Sequence, residues 1–390
     1  MTSMFLKSIK KILVISIFFL AASLSFSERL GLEGYQDLAF DFPEGFYVED
    51  MTSDGKGVLL KNKDFPLTAI IRIYNYKRFG SNQKCMDDTL SKLSLKGTSS
   101  TVDWRNQKSS LAKISGKMSG KEISGYAATF TLPFDKGNLF LATWCEKNNA
   151  QKYDDFLTSL LDAVFIDAGS YYESGLYTSY KYPKSERGEK KKVTLTIGGK
   201  EIESYIHEND AKINQALIER EFKVLEACSS KATWKEAWQR YYRMIFKDCY
   251  SPLRKCAFDI YNSLAPDCSD ETDLAQKLLS WTQEMHYERE KTYSDFISPL
   301  AIVQGSGSDC DSRSMLLAVL LTHMNQDALI FVSATYSHAM AGFVSSHPGH
   351  SFSVNGKKYL MGETTAKGLT WGKISADEDN QSEWIEVQFP

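Results

Sequence analysis

A loop rich in glycine and serine that runs directly into an apolar helix is the feature that most constrains how this chain folds. Residues 305–309 are loop-forming, residues 315–321 are continuously apolar, and Cys310 lies where the two meet. This switch from loop-forming to apolar residues predicts that a buried helix begins at Cys310. Unpaired N–H groups and the dipole at a helix start favour an anion, so we expect the pKa of this thiol to be lowered. The same N–H groups can hold the oxyanion of a tetrahedral intermediate.

Two later polar residues are predicted to face this helix start. His338 opens an apolar strand, and Glu363 lies at the end of a later strand. Between them, Asn355-Gly356 is a strong signal for a type I′ hairpin turn. Neighbouring antiparallel strands would present His338 and Glu363 side by side. A base next to a thiol, oriented by a carboxylate, is the arrangement that nucleophilic acyl chemistry needs.

At these positions the chain resembles the transglutaminase-like superfamily, over roughly residues 270–370. Residues 307–311 (Gly-Ser-Asp-Cys-Asp) look like its Gly-Asp-Cys helix start. Residues 337–340 (Ser-His-Ala-Met) look like its histidine strand, and residues 359–365 (Tyr-Leu-Met-Gly-Glu-Thr-Thr) look like its aspartate-containing strand. The chain departs from the family pattern twice: a serine, Ser308, replaces the usual glycine two residues before the cysteine, and a glutamate stands where aspartate is commoner.

The resemblance implies a papain-like core of helices packed on an antiparallel sheet within residues 210–390. Cys310 would be the nucleophile, His338 would accept its proton, and Glu363 would orient the imidazole. Gln304 lies six residues before the cysteine, a spacing at which papain-like enzymes place an oxyanion-hole glutamine. A surface glutamine in a loop is an equally good interpretation of that residue.

The resemblance implies acyl chemistry on amide bonds of a protein or peptide substrate, with no cofactor and no metal. Hydrolysis by a protease or amidohydrolase is favoured, whereas a lysine amine as acceptor would give protein cross-linking. The alternative from another class is a catalytically silent envelope or surface module that uses the same fold to bind a peptide or glycan. His347 and His350 could ligate zinc, but the Pro-Gly between them marks a loop and metal sites need more ligands. A net charge of −3 and a pI near 6.1 give no reason to expect a nucleic-acid partner.

The whole chain is predicted to be α+β, and its 390 residues suggest two domains. Residues 28–168 form a predicted α+β unit that resembles small α/β sandwiches, and residues 169–209 form a tyrosine-rich connector with a probable hairpin at Gly198-Gly199. The tyrosines are expected to pack on neighbouring domains rather than to bind a ligand. The main predicted segments of the N-terminal unit are strands at 68–74, 111–114, 125–132 and 139–143 and helices at 86–95 and 153–164. Further helices are predicted to start with N-caps at Asp210 and near Thr272.

The first 27 residues read as a signal peptide. Three lysines precede the apolar residues 12–26, which would cover only about 22 Å as a helix and are therefore too short for a stable membrane span. The mature protein is expected to be exported: periplasmic, secreted or at the cell surface. Its seven cysteines are an odd number, which suggests disulfide pairs plus one free thiol, with Cys85 and Cys145 as natural partners. The sequence does not indicate an oligomeric state.

The signal peptide predicts where the mature protein begins. Small residues precede Leu24 and Glu28 at the positions that signal peptidase recognises. We expect the protein purified from its native compartment to begin at Leu24 or Glu28, as read by N-terminal sequencing or intact mass. An intact Met1 would contradict export by this route.

Overall fold

The computed structural model describes residue 35, residues 38–289 and residues 293–390. The predicted signal peptide therefore lies outside the described residues. Within them, the chain is an α+β fold whose named strands pair antiparallel. No helix in this part of the chain is both long enough and apolar enough to cross a membrane.

The first half is built on a sheet of seven described strands with helices on both faces. In chain order the elements are β1 (Ala39–Phe40), β2 (Phe46–Met51), β3 (Gly57–Asn62), β4 (Thr68–Tyr74), α1 (Asn82–Lys92), β5 (Leu95–Trp104), β6 (Gln107–Met118), β7 (Lys121–Leu132), β8 (Gly137–Glu146), α2 (Asp154–Asp162) and β9 (Val164–Phe165). The sheet order is β2-β3-β4-β8-β7-β6-β5, and β1 pairs with β9 separately. Helix α1 packs on one face and α2 on the other.

The predicted strands of this half are confirmed, but one predicted helix is displaced. The helix expected at residues 86–95 begins at Asn82, because the Ser81 hydroxyl caps it by accepting from the Lys84 N–H. It ends before Ser94, which adopts a left-handed φ of 56°. The following segment is strand β5, which the sequence analysis missed because few of its side chains are buried.

The second half contains helices followed by a smaller sheet. Its elements are α3 (Leu176–Lys181), β10 (Lys190–Ile197), β11 (Lys200–His207), α4 (Asp210–Cys228), α5 (Trp234–Leu264), α6 (Glu271–Glu284), α7 (Pro299–Val303), α8 (Cys310–His323), β12 (Ala328–Ser333), β13 (His338–Val344), β14 (Ser351–Val354), β15 (Lys357–Gly362) and β16 (Ile385–Gln388). The described sheet has the order β14-β15-β13-β12-β16, with α8 packed against β12 and β13. The hairpins at Gly198-Gly199 and Asn355-Gly356 form as predicted.

Both predicted helix caps lie one or two residues from the observed ones. Asn209 is the N-cap of α4, and Asp210, the first helical residue, instead accepts two hydrogen bonds from Arg187 at 2.6 and 2.7 Å. Asp270, rather than Thr272, caps α6, because its carboxylate accepts from the Asp273 N–H. The two predicted helices are therefore confirmed, but the residues that cap them are not the predicted ones.

One continuous hydrophobic core extends through both halves. It contains Phe130 and Leu160 from the first half together with Ile245 and Leu317 from the second, all essentially without solvent exposure. Tyr172 and Tyr177 of the connector pack onto this core as expected, and the ring centroids of Tyr172 and Tyr250 lie 4.6 Å apart. Tyr180 is instead 43% exposed. The two halves are therefore held by shared apolar burial as well as by the chain.

A buried network of charges joins the same two halves. The Arg240 guanidinium in α5 is 2% exposed and donates to Glu221 at 2.7 Å, to Ser159 at 2.6 Å and to the Asp41 carbonyl at 2.6 Å. Arg220 continues the network by donating to Asp162 at 2.8 Å. Ser159, Asp162 and Asp41 belong to the first half, whereas both arginines belong to helices of the second. A buried charge is tolerated only with such full pairing.

The expected disulfide pairing is wrong in this structure, where all seven cysteines are free. Cys85 belongs to α1 and packs on one face of the seven-stranded sheet, whereas Cys145, in β8, belongs to the core on the other face. Successive strand residues point to opposite faces. The sheet therefore separates the two thiols that the sequence suggested as partners.

The charge network predicts a large stability difference between two arginine substitutions. Arg240→Ala would remove the partner of Glu221 Oε2 and leave that buried carboxylate with Arg220 alone, so we expect it to lower the free energy of unfolding by about 3–5 kcal/mol. The control Arg254→Ala removes an arginine that is 62% exposed and lies 3.7 Å from Glu173, and should cost less than about 1 kcal/mol. Urea unfolding followed by circular dichroism measures both. Equal small losses would contradict a structural role for the network.

Candidate active site

Cys310 begins helix α8, as predicted. Asp309 is the N-cap, and its carboxylate accepts from the Ser312 N–H at 2.9 Å while the Ser312 hydroxyl accepts from the Asp309 N–H at 3.0 Å. This reciprocal capping box explains why the helix starts there. The first N–H groups of a helix, here those of Cys310 and Asp311, have no acceptor within the helix. Cys310 itself is only 4% exposed.

The thiol of Cys310 is held between a carboxylate and a strand. Its Sγ lies 3.5 Å from Asp311 Oδ1, and the backbone N–H of Ala339 in β13 donates toward it. Burial, followed by the negative charges of Asp311 and Asp309, raises the pKa of Cys310 well above its usual value. The predicted lowering of this pKa is therefore wrong for this conformation. Burial and two neighbouring carboxylates outweigh a helix dipole effect that is typically below about 1 kcal/mol.

Of the two aspartates that flank the thiol, Asp309 is buried and Asp311 is partly buried, and the sequence analysis gave them no role. Burial, with the charge of Asp311, raises the pKa of Asp309 to about 7. Burial also raises the pKa of Asp311, although the Tyr242 hydroxyl donates to its Oδ2 at 2.8 Å and opposes the shift. Their position on both sides of Cys310 was the available signal in the sequence, because buried carboxylates next to a thiol must affect its protonation.

His338 and Glu363 lie together as predicted. The His338 Nε2 and Glu363 Oε2 atoms are 2.6 Å apart, and their side chains are 14% and 7% exposed. Ser337, with a left-handed φ of 50°, precedes His338 at the tight turn between β12 and β13. Glu363 directly follows β15, which pairs with β13. Among the described residues no hydrogen bond joins the Cys310 thiol to the imidazole, although Ala339, the next residue in the strand, contacts the sulfur.

The His338–Glu363 pair is electrostatically polarised. Burial alone would lower the pKa of His338, but the hydrogen bond and the charge of Glu363 outweigh it and raise that pKa above the usual value. Burial alone would raise the pKa of Glu363, but His338 and donors from Thr365 outweigh it and lower that pKa to about 2. Thr365 provides its N–H at 2.6 Å and its hydroxyl at 2.5 Å, both to Oε1. Glu363 is thus an ionised, firmly oriented carboxylate.

Two buried residues that the sequence analysis did not single out position the site. Arg313 in α8 donates to the Ser308 hydroxyl at 2.8 Å, to the Met285 carbonyl at 2.7 Å and to the Thr364 carbonyl at 3.3 Å. It therefore ties the loop before Cys310 to the residue after Glu363. A lone arginine on an apolar helix was the signal. Ser308, one of the two departures from the family pattern, is used by this contact.

Gln283 holds the other side of the loop that follows Glu363. Its amide donates to the Glu363 carbonyl at 2.8 Å and accepts from the Gly368 N–H at 3.0 Å.

The oxyanion role predicted for Gln304 has no supporting contact in the structure. Gln304 is exposed and its amide nitrogen lies 3.3 Å from the Glu208 carbonyl, at the end of the β10–β11 hairpin. The structure therefore does not bring Gln304 into the group around Cys310.

A second carboxylate lies beside the pair. His338, Glu363 and Glu378 each place one ligand atom so that the three atoms lie within 4.8 Å of one another, an arrangement that could hold a metal ion. The histidines that the sequence analysis considered for zinc lie elsewhere: His347 is 3.6 Å from Asp270, and His350 packs edge-on against Phe352.

Comparison with known proteins shows no family for this chain. No family model and no curated protein matches the chain. Among solved structures it is similar to cyanobacterial PsbP from Synechocystis sp. PCC 6803 (11% identity, TM-score 0.28, 33% of this chain and 86% of that one). It is also similar to a point mutant of Mog1 (10%, 0.26, 34% and 93%) and to a protein from Bacteroides thetaiotaomicron (10%, 0.24, 56% and 77%). TM-scores this low carry no argument about fold or function.

The contact between Asp311 and the thiol predicts how Cys310 reacts. Asp311→Asn removes the adjacent charge while keeping an acceptor for Tyr242, so the thiol pKa should fall. We expect alkylation of Cys310 by iodoacetamide at pH 7 to speed up roughly tenfold, which is the effect of about one pKa unit. Mass spectrometry of peptides separates Cys310 from the partly exposed Cys268. Asp327→Asn, which removes an exposed carboxylate from the Lys357 ion pair, is the control. An unchanged rate in Asp311→Asn would show that its charge does not govern the thiol.

Proposed function

We propose that this chain is an exported, transglutaminase-like enzyme that uses Cys310, His338 and Glu363 for acyl chemistry on amide bonds. In this proposal residues 210–390 form the transglutaminase-like domain of helices packed on an antiparallel sheet. Residues 28–168 form a smaller α/β sandwich-like domain, and residues 169–209 connect them. The substrate is a protein or peptide. The observation that carries the proposal is the 2.6 Å pair of His338 and Glu363 beside the helix that begins at Cys310.

The hydrogen bond between His338 and Glu363 determines which imidazole nitrogen can act as the base. Because Nε2 of His338 faces Glu363, Nδ1 is the ring nitrogen left to accept the thiol proton. The sulfur then attacks the carbonyl carbon of the amide, and the oxygen becomes an oxyanion near the free N–H groups of Cys310 and Asp311. The imidazolium returns its proton to the departing amine, which leaves an acyl-thioester on Cys310. The ionised Glu363 stabilises the imidazolium while it exists.

The fate of the thioester decides the overall reaction. Water, activated by the neutral imidazole, gives a free carboxylic acid and restores the thiol, so the net reaction is amide hydrolysis. A lysine amine as acceptor would give a new amide bond and cross-link two proteins. We favour hydrolysis, as a protease or amidohydrolase.

The second candidate is a silent binding module, and one observation favours it. Cys310 is buried, with a raised pKa, so in this conformation it is a neutral thiol. Peptide amides that carry a thiol-reactive group distinguish the two functions. A mass increase on the wild type that is lost in Cys310→Ala supports the enzyme. Reversible binding with no mass increase, retained in Cys310→Ala, supports the binding module.

The Glu363 carboxylate predicts a specific change in activity and in its pH dependence. Glu363→Gln should lower the rate of peptide amide hydrolysis ~10²-fold or more, because the imidazolium loses its counter-charge. Glu363→Asp should cost less, since the charge remains. The neutral imidazole is the base, so wild-type activity falls as the pH drops below the raised pKa of His338. Removing the charge of Glu363 removes the cause of that shift.

The pH profile separates this role from a structural one. The acid limb of the rate profile should move to lower pH in Glu363→Gln and stay near the wild-type position in Glu363→Asp. Rates measured across the pH range on one peptide amide test this, with Cys310→Ala as the blank. Full activity in Glu363→Gln would mean that Cys310 and His338 act as a dyad.

A further inference from the structure

Glu378 is a carboxylate near the site that the proposed reaction does not use. It ends the short helical turn Ala376–Glu378, between β15 and β16, and it is partly buried. Its charge acts on both His338 and Glu363. In the described part of the chain, no hydrogen bond or ion pair to a basic residue holds its carboxylate in place.

Two carboxylates, those of Glu363 and Glu378, lie near the single imidazole of His338, so negative charge exceeds positive charge there. A single N–H on Nε2 of His338 can satisfy only one carboxylate, and it is directed at Glu363 Oε2. The other oxygen of Glu363 is already occupied by the Thr365 and Ala366 donors. Glu378 therefore adds a second carboxylate within 4.8 Å of this pair, and among the described residues no basic side chain pairs with it.

This arrangement has the features of a divalent-cation site. A zinc ion takes imidazole nitrogen and carboxylate oxygen at about 2.0–2.2 Å, so tetrahedral ligand atoms lie about 3.4 Å apart. The three ligand atoms already lie within 4.8 Å of one another. The His338 and Glu363 atoms, now 2.6 Å apart in a hydrogen bond, would need to separate by less than about 1 Å to reach the distance between two ligands of a tetrahedral zinc ion. The Thr365 donors that fix Glu363 Oε1 act as the outer hydrogen bonds that orient metal ligands.

We propose that His338, Glu363 and Glu378 form a zinc site and that zinc bound there inhibits the cysteine chemistry. Binding itself is independent of the proposed function, whereas inhibition rests on it. Zinc takes the lone pair of Nε2, so the single proton of the neutral imidazole moves to Nδ1, and Nδ1 can no longer accept the thiol proton. No covalent step is involved, and removing the metal restores the pair.

Titration of the full-length mature chain with Zn²⁺ in a calorimeter tests the site without any substrate. We expect one zinc per wild-type chain and a dissociation constant at least about tenfold weaker in Glu378→Gln. Asp379→Asn changes an exposed carboxylate in the same loop, and His347→Ala removes a separate imidazole that lies 3.6 Å from Asp270. Both variants should bind zinc like the wild type. Mg²⁺ should bind far more weakly, because imidazole is a poor ligand for it.

A second measurement tests inhibition. In the absence of zinc, Glu378→Gln should hydrolyse the peptide amide at the wild-type rate within about twofold, because among the described residues no hydrogen bond joins Glu378 to Cys310 or His338. Zinc should inhibit the wild type, a chelator should reverse it, and Glu378→Gln should resist it. Equal zinc affinity in wild type and Glu378→Gln, or loss of binding only in His347→Ala, would overturn the site. Zinc binding that depends on Glu378 in a chain with no amidase activity would uphold the site and reject the proposed reaction instead.

Discussion

A guanidinium with almost no access to water joins the two halves of the molecule. Arg240 binds atoms from α2, from α4 and from the chain just after β1, so the seven-stranded sheet cannot leave the helices without exposing a buried ion. The same helix carries Tyr242, whose hydroxyl donates to Asp311 beside the thiol. Helix α5 therefore links the position of the N-terminal sheet to the environment of Cys310. The first half of the chain, which supplies no candidate catalytic residue, still helps to define the site.

The site itself is divided between a helix and a sheet. Cys310 belongs to α8, whereas His338 and Glu363 belong to neighbouring strands that pack beneath it. Arg313 crosses this boundary by contacting both Ser308 and Thr364. The relative position of thiol and imidazole thus depends on this guanidinium, on the Ala339 N–H at the sulfur and on the packing of α8 against β13, rather than on a direct bond between the two groups. A small shift of the helix along the sheet would change their distance while leaving the His338–Glu363 pair intact.

Local signals in the sequence predicted local structure well. The helix start at Cys310, the strand at His338 and the hairpin at Asn355-Gly356 each depend on a few adjacent residues, and all three were found. The errors concern properties that depend on distant packing. The thiol pKa is set by burial that the sequence does not state, and Cys85 and Cys145 are separated by the register of a sheet whose strand order was unknown. Gln304 was assigned by spacing alone, which fixes neither the direction of its side chain nor its partners.

Burial of the nucleophile has a consequence for how such a site would select what it acts on. A group that is 4% exposed reacts only in the fraction of molecules whose helix–sheet boundary has opened. Contacts far from the reacting amide can hold that open state, so binding energy is converted into reactivity at a distance. Under the proposed function, a short peptide that makes few such contacts would react slowly, whereas a longer chain would react faster. Substrate length, rather than the residue at the cleaved bond, would then be the property to which such a site responds.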